Sequence, residues 1–157
     1  MTRPSRRAFL EALFWGFRLN VTSGPARPEA TASSRMAKSL LPRVRKLCLH
    51  LPEAHEVEAW GEPTFRVRNK LFAMYASSGN HHGAGRPAVW MKAPPGNQDI
   101  MVKADPARFF VPPYVGPSGW IGVRLDGNVN WKELDMLLRD SYRLVAPKRL
   151  ASRVEDV

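Results

Sequence analysis

The sequence predicts an α+β domain in which N- and C-terminal helices pack on one face of an antiparallel sheet. Three observations carry this. Val44, Leu47, Cys48 and Leu51 fall at i, i+3, i+4 and i+7, the stripe of an amphipathic helix. Phe65 and Val67 alternate with Arg66 and Arg68 ahead of a second apolar run, Leu71–Tyr75, as in a hairpin. Asn130 and Glu133 form a capping box in front of Trp131, Leu134, Leu138 and Val145, which share a helix face. At 157 residues the chain is one domain with an extension, large enough to bury about two thirds of its unfolded surface.

Taken in order, Pro42 fits the first turn of the opening helix, and Pro52 marks its end. A turn at Asn69-Lys70 sets Val67 opposite Phe72 and Phe65 opposite Met74, all on the buried face, with Arg66 and Arg68 outward and Lys70 at the tip. Residues 77–87, SSGNHHGAGRP, form a loop, and Ala88–Lys92 reads as a strand. Asn97–Ala104 fits helix or strand equally. Asp105 caps a short helix that runs to Phe110, with Pro106 at its first position. Trp120–Leu125 is a strand closed by Asp126-Gly127, and Pro147 stops the last helix. Phe65, Val67, Phe72, Ile121, Val123, Leu134 and Leu138 are expected in one core.

Residues 1–35 differ in kind. They hold six arginines against two acids, and residues 22–35 are rich in Ser, Thr, Pro and Ala with no apolar period. The sequence reading is a disordered basic extension over 1–35, a domain over 36–150 and a C-terminal tail over 151–157. Ser5-Arg6-Arg7-Ala8-Phe9-Leu10 resembles a twin-arginine export signal, but the apolar stretch after it is short and contains Glu11. A cytoplasmic protein is the expectation and export the alternative. No apolar run approaches the length of a membrane span.

Charge is the outlier: 24 Lys+Arg against 14 Asp+Glu give +10, which favours polyanionic partners. One cysteine, Cys48, excludes a disulfide framework, and its place on the apolar stripe makes it a small buried hydrophobe. His50, His55, His81 and His82 lack metal-ligand spacing, and adjacent His81-His82 read as solvent-exposed. Glu53, Glu56, Glu58 and Glu62 read as a solvated loop and strand face without an opposing acidic cluster. Neither Gly-x-Ser-x-Gly nor Gly-Lys-Ser/Thr occurs. No enzyme activity, metal or cofactor is expected.

Trp60-Gly61-Glu62-Pro63-Thr64-Phe65-Arg66-Val67 with Lys70-Leu71-Phe72-Ala73 resembles the early signature of the MmcQ/YjbR-like family. Pro112-Pro113-Tyr114, Trp120–Leu125 and Ser141–Val145 with Pro147-Lys148 resemble its later blocks, in order over about residues 38–150. The resemblance implies a CyaY-like fold, also compared with secretion chaperones, and a double-wing DNA-binding label. It does not bring iron with it, because Lys38, Arg43, Arg45 and Lys46 occupy the helix that would need acids. The expected function is therefore a nucleic-acid-binding module with Arg66, Arg68 and Lys70 on one wing and Arg86 and Lys92 on the second. Two alternatives remain open: a protein-interaction or chaperone-like module using the sheet face, and a small-molecule pocket around Trp60, Tyr114, Trp120 and Tyr142.

Overall fold

The computed structural model describes residues 32–79 and 85–155. The opening helix, α1 (Ala32–Leu49), takes in Pro42 and starts inside the stretch read as extension. Next come β1 (His55–Ala59), β2 (Glu62–Val67), β3 (Lys70–Ala76) and β4 (Ala88–Lys92). They are followed by α2 (Asn97–Ala104), β5 (Phe109–Phe110), a 3₁₀ turn (Gly116–Ser118), β6 (Trp120–Arg124), α3 (Trp131–Val145) and α4 (Lys148–Ala151). The strands form one antiparallel sheet in the order β1-β2-β3-β4-β6-β5. This is the expected α+β architecture.

The main core lies between one sheet face and the helices. Val44, Cys48, Phe65, Val67, Phe72, Val89, Met91, Ile121, Val123, Leu134, Leu138 and Tyr142 belong to one buried cluster, including all seven expected core residues. Asn130 caps α3 as expected, its Oδ1 accepting from the Glu133 amide at 3.1 Å. Glu133 itself turns away to pair with Arg108. Burial raises the Cys48 thiol pKa well above its ordinary value, with Asp135 and Glu56 adding to the effect, as suits an inert core thiol.

The first hairpins depart from the expected register. β1 joins β2 through Trp60-Gly61, and β2 joins β3 through Arg68-Asn69, one residue earlier than expected. All four turn residues have positive φ (56°, 74°, 49° and 61°), the signature of primed two-residue turns that match strand twist. Asn69 serves better as the second turn residue, which moves Val67 opposite Lys70. A β-bulge then restores the apolar pattern: Arg66 pairs with Leu71 but Phe65 with Ala73, leaving Phe72 as the extra residue. Phe72 and Ala73 thus both join the helix-side core. Met74 is buried too, but on the opposite face with Ala76, Ala88, Trp90 and Trp120.

The β3–β4 register ends at Ala73 and Met91, and α3 supplies a partner just beyond it. Ser141 Oγ donates to the Phe72 carbonyl at 2.6 Å and accepts from the Lys92 amide at 2.8 Å. One fully buried hydroxyl therefore satisfies two backbone groups that the sheet leaves unpaired.

Three further expectations are corrected. Asp105 does not open a helix: its amide donates to Met101 O as the C-cap of α2, and the turn after it leads Phe109 into the sheet beside Val123. A one-turn helix there would forfeit that burial. The span read as a C-terminal tail begins inside the last helix, and its Val154 is buried in the main core. Glu62 is not on a solvated face but buried, its Oε1 accepting from the Ser77 amide at 2.9 Å and the Ser77 hydroxyl at 2.6 Å.

Candidate nucleic-acid interface

The alternation of each strand sorts its side chains between the two sheet faces. On the face away from the helices, register places His55, Arg66 and Leu71 in one row, with Lys92 and Trp120 continuing at the same end of the sheet. Val57, Thr64, Met74, Trp90, Gly122 and Phe110 form the central row. Gly122 is required there, because a Cβ would run into the Phe110 ring. Arg124 lies over the same ring, 4.5 Å from its centroid.

The end of the sheet that carries the β2–β3 turn is basic. Arg66 is half-buried, with Nε donating to Thr64 Oγ1 at 3.2 Å. Lys70 is exposed beside the turn, and Lys92 is half-buried at the end of β4. No carboxylate pairs with any of these three among the described residues. Arg68, in the turn, pairs with Glu53 Oε2 at 2.8 Å. Glu53 also takes Arg149 from α4 at 3.3 Å, so two exposed arginines share one carboxylate. Arg149 joins this cluster only through folding; nothing in its local sequence points to the hairpin.

Arg86 does not converge with the others. It stands just before β4, at the end of the strands opposite Lys70, and a seven-residue strand spans roughly 20 Å. It also forms a bidentate pair with Asp126, at 2.5 and 2.9 Å. The Asp126 carboxyl is held below its ordinary range, first by the Arg86 hydrogen bond, against the opposing effect of burial. A depressed folded-state pKa contributes stability above the unfolded carboxyl value, and that stability is lost as pH falls through the folded one. Asp126→Asn should therefore weaken the decline in stability below about pH 4, by a small amount because the pair is partly solvated. Denaturant titrations across that range check this.

The aromatic pocket does not form. Trp120 lies on the face away from the helices, whereas Tyr142 is in the helix-side core, its hydroxyl donating to Pro52 O at 2.5 Å. Trp60 (55% exposed) sits in the β1–β2 turn and Tyr114 (63% exposed) in the loop after β5. The sheet separates residues that the sequence grouped by aromatic character. An open, polar cleft of about 230 Å³ lies elsewhere, lined by His50, Pro52, Arg139, Arg153 and Glu155 among others.

Among the described residues no three His, Cys, Asp or Glu side chains gather closely enough to hold a metal ion. His81 and His82 lie outside those residues, as does the twin-arginine-like stretch. No helix among the described residues is long and apolar enough to cross a membrane.

Fold and site together define a single-sheet α+β domain with helices on one face and a cationic hairpin at one end. The chain belongs to the YjbR family, whose model matches residues 49–144. Its structure is similar to the crystal structure of Deinococcus radiodurans protein DR2400, which has a DUF419 domain. The TM-score is 0.58 at 23% identity, covering 67% of this chain and 77% of that one; at that identity the likeness shows the fold alone. No curated protein matches the sequence.

Proposed function

We propose that this protein is a non-enzymatic nucleic-acid-binding module that holds phosphates at the β2–β3 end of its sheet, as the first wing of a double-wing surface. The observation that carries this reading is the group Arg66, Lys70 and Lys92, on three consecutive strands and free of carboxylate partners among the described residues. Adjacent strands lie about 4.8 Å apart, so Arg66 and Lys92, on the same face and two strands apart, are separated by roughly 10 Å, while Lys70, opposite Val67, stands at the strand end in the row of the other face. Duplex DNA carries one negative charge per about 1.7 Å of axis, which gives such a cluster several phosphates to meet. Arg68 and Arg149 add one uncompensated positive charge around Glu53. Arg86, paired with Asp126 at the far end, is not a contact in this reading. The carboxylates near the hairpin support a binding role over acid–base catalysis, because Glu53, Glu56 and Glu62 are already engaged by Arg68 and Arg149, Arg45 and Ser77.

The test is binding to random-sequence duplex over a range of salt. Each phosphate contact contributes about one unit to the slope of log affinity against log salt. Substituting Arg66, Lys70 and Lys92 together with alanine should weaken binding to all sequences alike and flatten the slope by about two to three units. Glu53→Gln, which removes the carboxylate shared by Arg68 and Arg149, should tighten binding and steepen the slope. A wild-type protein without affinity for duplex or single strands at low salt would refute the reading. An unchanged slope in the triple variant would move the contacts elsewhere, first to Arg43 and Lys46 on α1.

A further inference from the structure

The connection from β5 to β6 holds an aromatic side chain in a conformation that costs free energy. The Val115 amide donates to Pro113 O at 2.8 Å, and Tyr114 between them has a φ of 65°. A bond from i to i+2 around a positive φ marks the strained form of the γ-turn, which is rare and ill suited to a bulky side chain. The turn is nevertheless well fixed. Pro112 and Pro113 restrict the backbone ahead of it. The Gly116 amide donates to Pro112 O at 3.0 Å, and Gln98 Nε2 of α2 donates to Gly116 O at 2.8 Å. Val115 packs against the cluster of Met74, Trp90 and Trp120. Tyr114 is 63% exposed, so burial does not offset the strain. Trp60 also has a positive φ and is exposed, but its two-residue hairpin turn requires that φ. The turn at Tyr114 closes no such hairpin, and strain kept in place by rigid surroundings is a mark of function.

The turn stands at the basic end of the sheet. β5 runs towards the row of Lys92 and Trp120, since Phe109 pairs with Val123 and Phe110 with Gly122. Just past that row, the Ala93 amide donates to Gly119 O at 3.0 Å. Leu71, in the row with Arg66, packs against the same cluster as Val115. A rigid turn with an exposed ring thus borders the face and the end of the sheet that hold Arg66 and Lys92. Resting on the phosphate-binding reading above, we propose that Tyr114 is a stacking platform for one base and that the partner is single-stranded nucleic acid. Every base has a π face, so stacking of this kind is indifferent to sequence, as the phosphate contacts are. In a duplex that face is covered by the neighbouring base pairs, and the ring gains a partner only where bases are free. Because the turn is already fixed, little ordering is left to be done on binding.

Tyr114→Gly in the full chain tests this, because glycine takes a positive φ without strain and keeps the turn. Binding is measured over a range of salt on three probes of equal length: a single-stranded oligonucleotide, a duplex, and an abasic strand that has the sugar-phosphate backbone alone. The variant should bind the single strand roughly 5- to 100-fold more weakly, with the salt slope unchanged because no phosphate contact is lost. It should bind the duplex and the abasic strand as the wild type does. Tyr114→Phe, which keeps the ring, should match the wild type on all three probes. An equal loss on all three probes overturns the proposal, since a structural role or a phosphate contact would act on each of them. Salt-sensitive binding that Tyr114→Gly leaves unchanged on the single strand also overturns it, while the phosphate-binding reading stands. A wild-type protein that binds none of the probes overturns both.

Discussion

Leu138→Ala is expected to cost about 2–5 kcal/mol of folding stability, measured by equilibrium denaturation. Leu138 is fully buried on α3 in the main core, whose members include Phe72, Val89 and Leu134. Removing its branched end takes away apolar contact and leaves a cavity bordered by a bulged strand and a capped helix, neither of which can close in freely. The upper part of the range applies if the site fails to collapse. A cost below about half a kilocalorie would mean that α3 does not present this residue to the sheet.

Ser141→Ala is expected to cost more than an ordinary serine substitution. The hydroxyl bridges the Phe72 carbonyl and the Lys92 amide just beyond the last pair of the β3–β4 register. Without it, two buried backbone groups lose their partner, at about 1–3 kcal/mol for each one left unsatisfied. Amide exchange gives the specific readout: the Lys92 amide should lose protection while the β4 amides that remain in the ladder change only with global stability. If Lys92 stays as protected as its neighbours, the two strands have paired there and the hydroxyl is dispensable. Because Lys92 also belongs to the basic end of the sheet, this variant should loosen one proposed phosphate contact without removing its charge.

The two helices that build the core were legible because periodicity and capping are local. The stripe through Val44, Cys48 and Leu51 and the box at Asn130–Glu133 need only a few neighbouring residues to be recognised, and both hold in the fold. β1 was harder to see, since an edge strand reading His-Glu-Val-Glu-Ala carries a single large apolar residue. α4 was hidden behind Pro147, which stopped the reading one turn too early.

The basic character of the hairpin was also in the sequence, but which charges are available was not. Arg66 and Lys70 keep their charge free of carboxylates, whereas Arg68 and Arg86 meet Glu53 and Asp126, 15 and 40 positions away in the chain. Aromatic type suggested a pocket, yet Trp120 and Tyr142 are divided by the sheet.

By itself the sequence determined the two helices that build the core, the strands of the hairpin, β4 and β6, the helix-side core, the surplus positive charge and the family. The elements and the charge depend on composition or on spacing within one element, and the family on short blocks in order along the chain. The tertiary structure decided the register of the hairpin, the bulge that sends Phe72 and Met74 to opposite faces, and the pairing of each arginine. The reason is that strand alternation inverts with a shift of one residue, and ion pairs form between groups that only folding brings together.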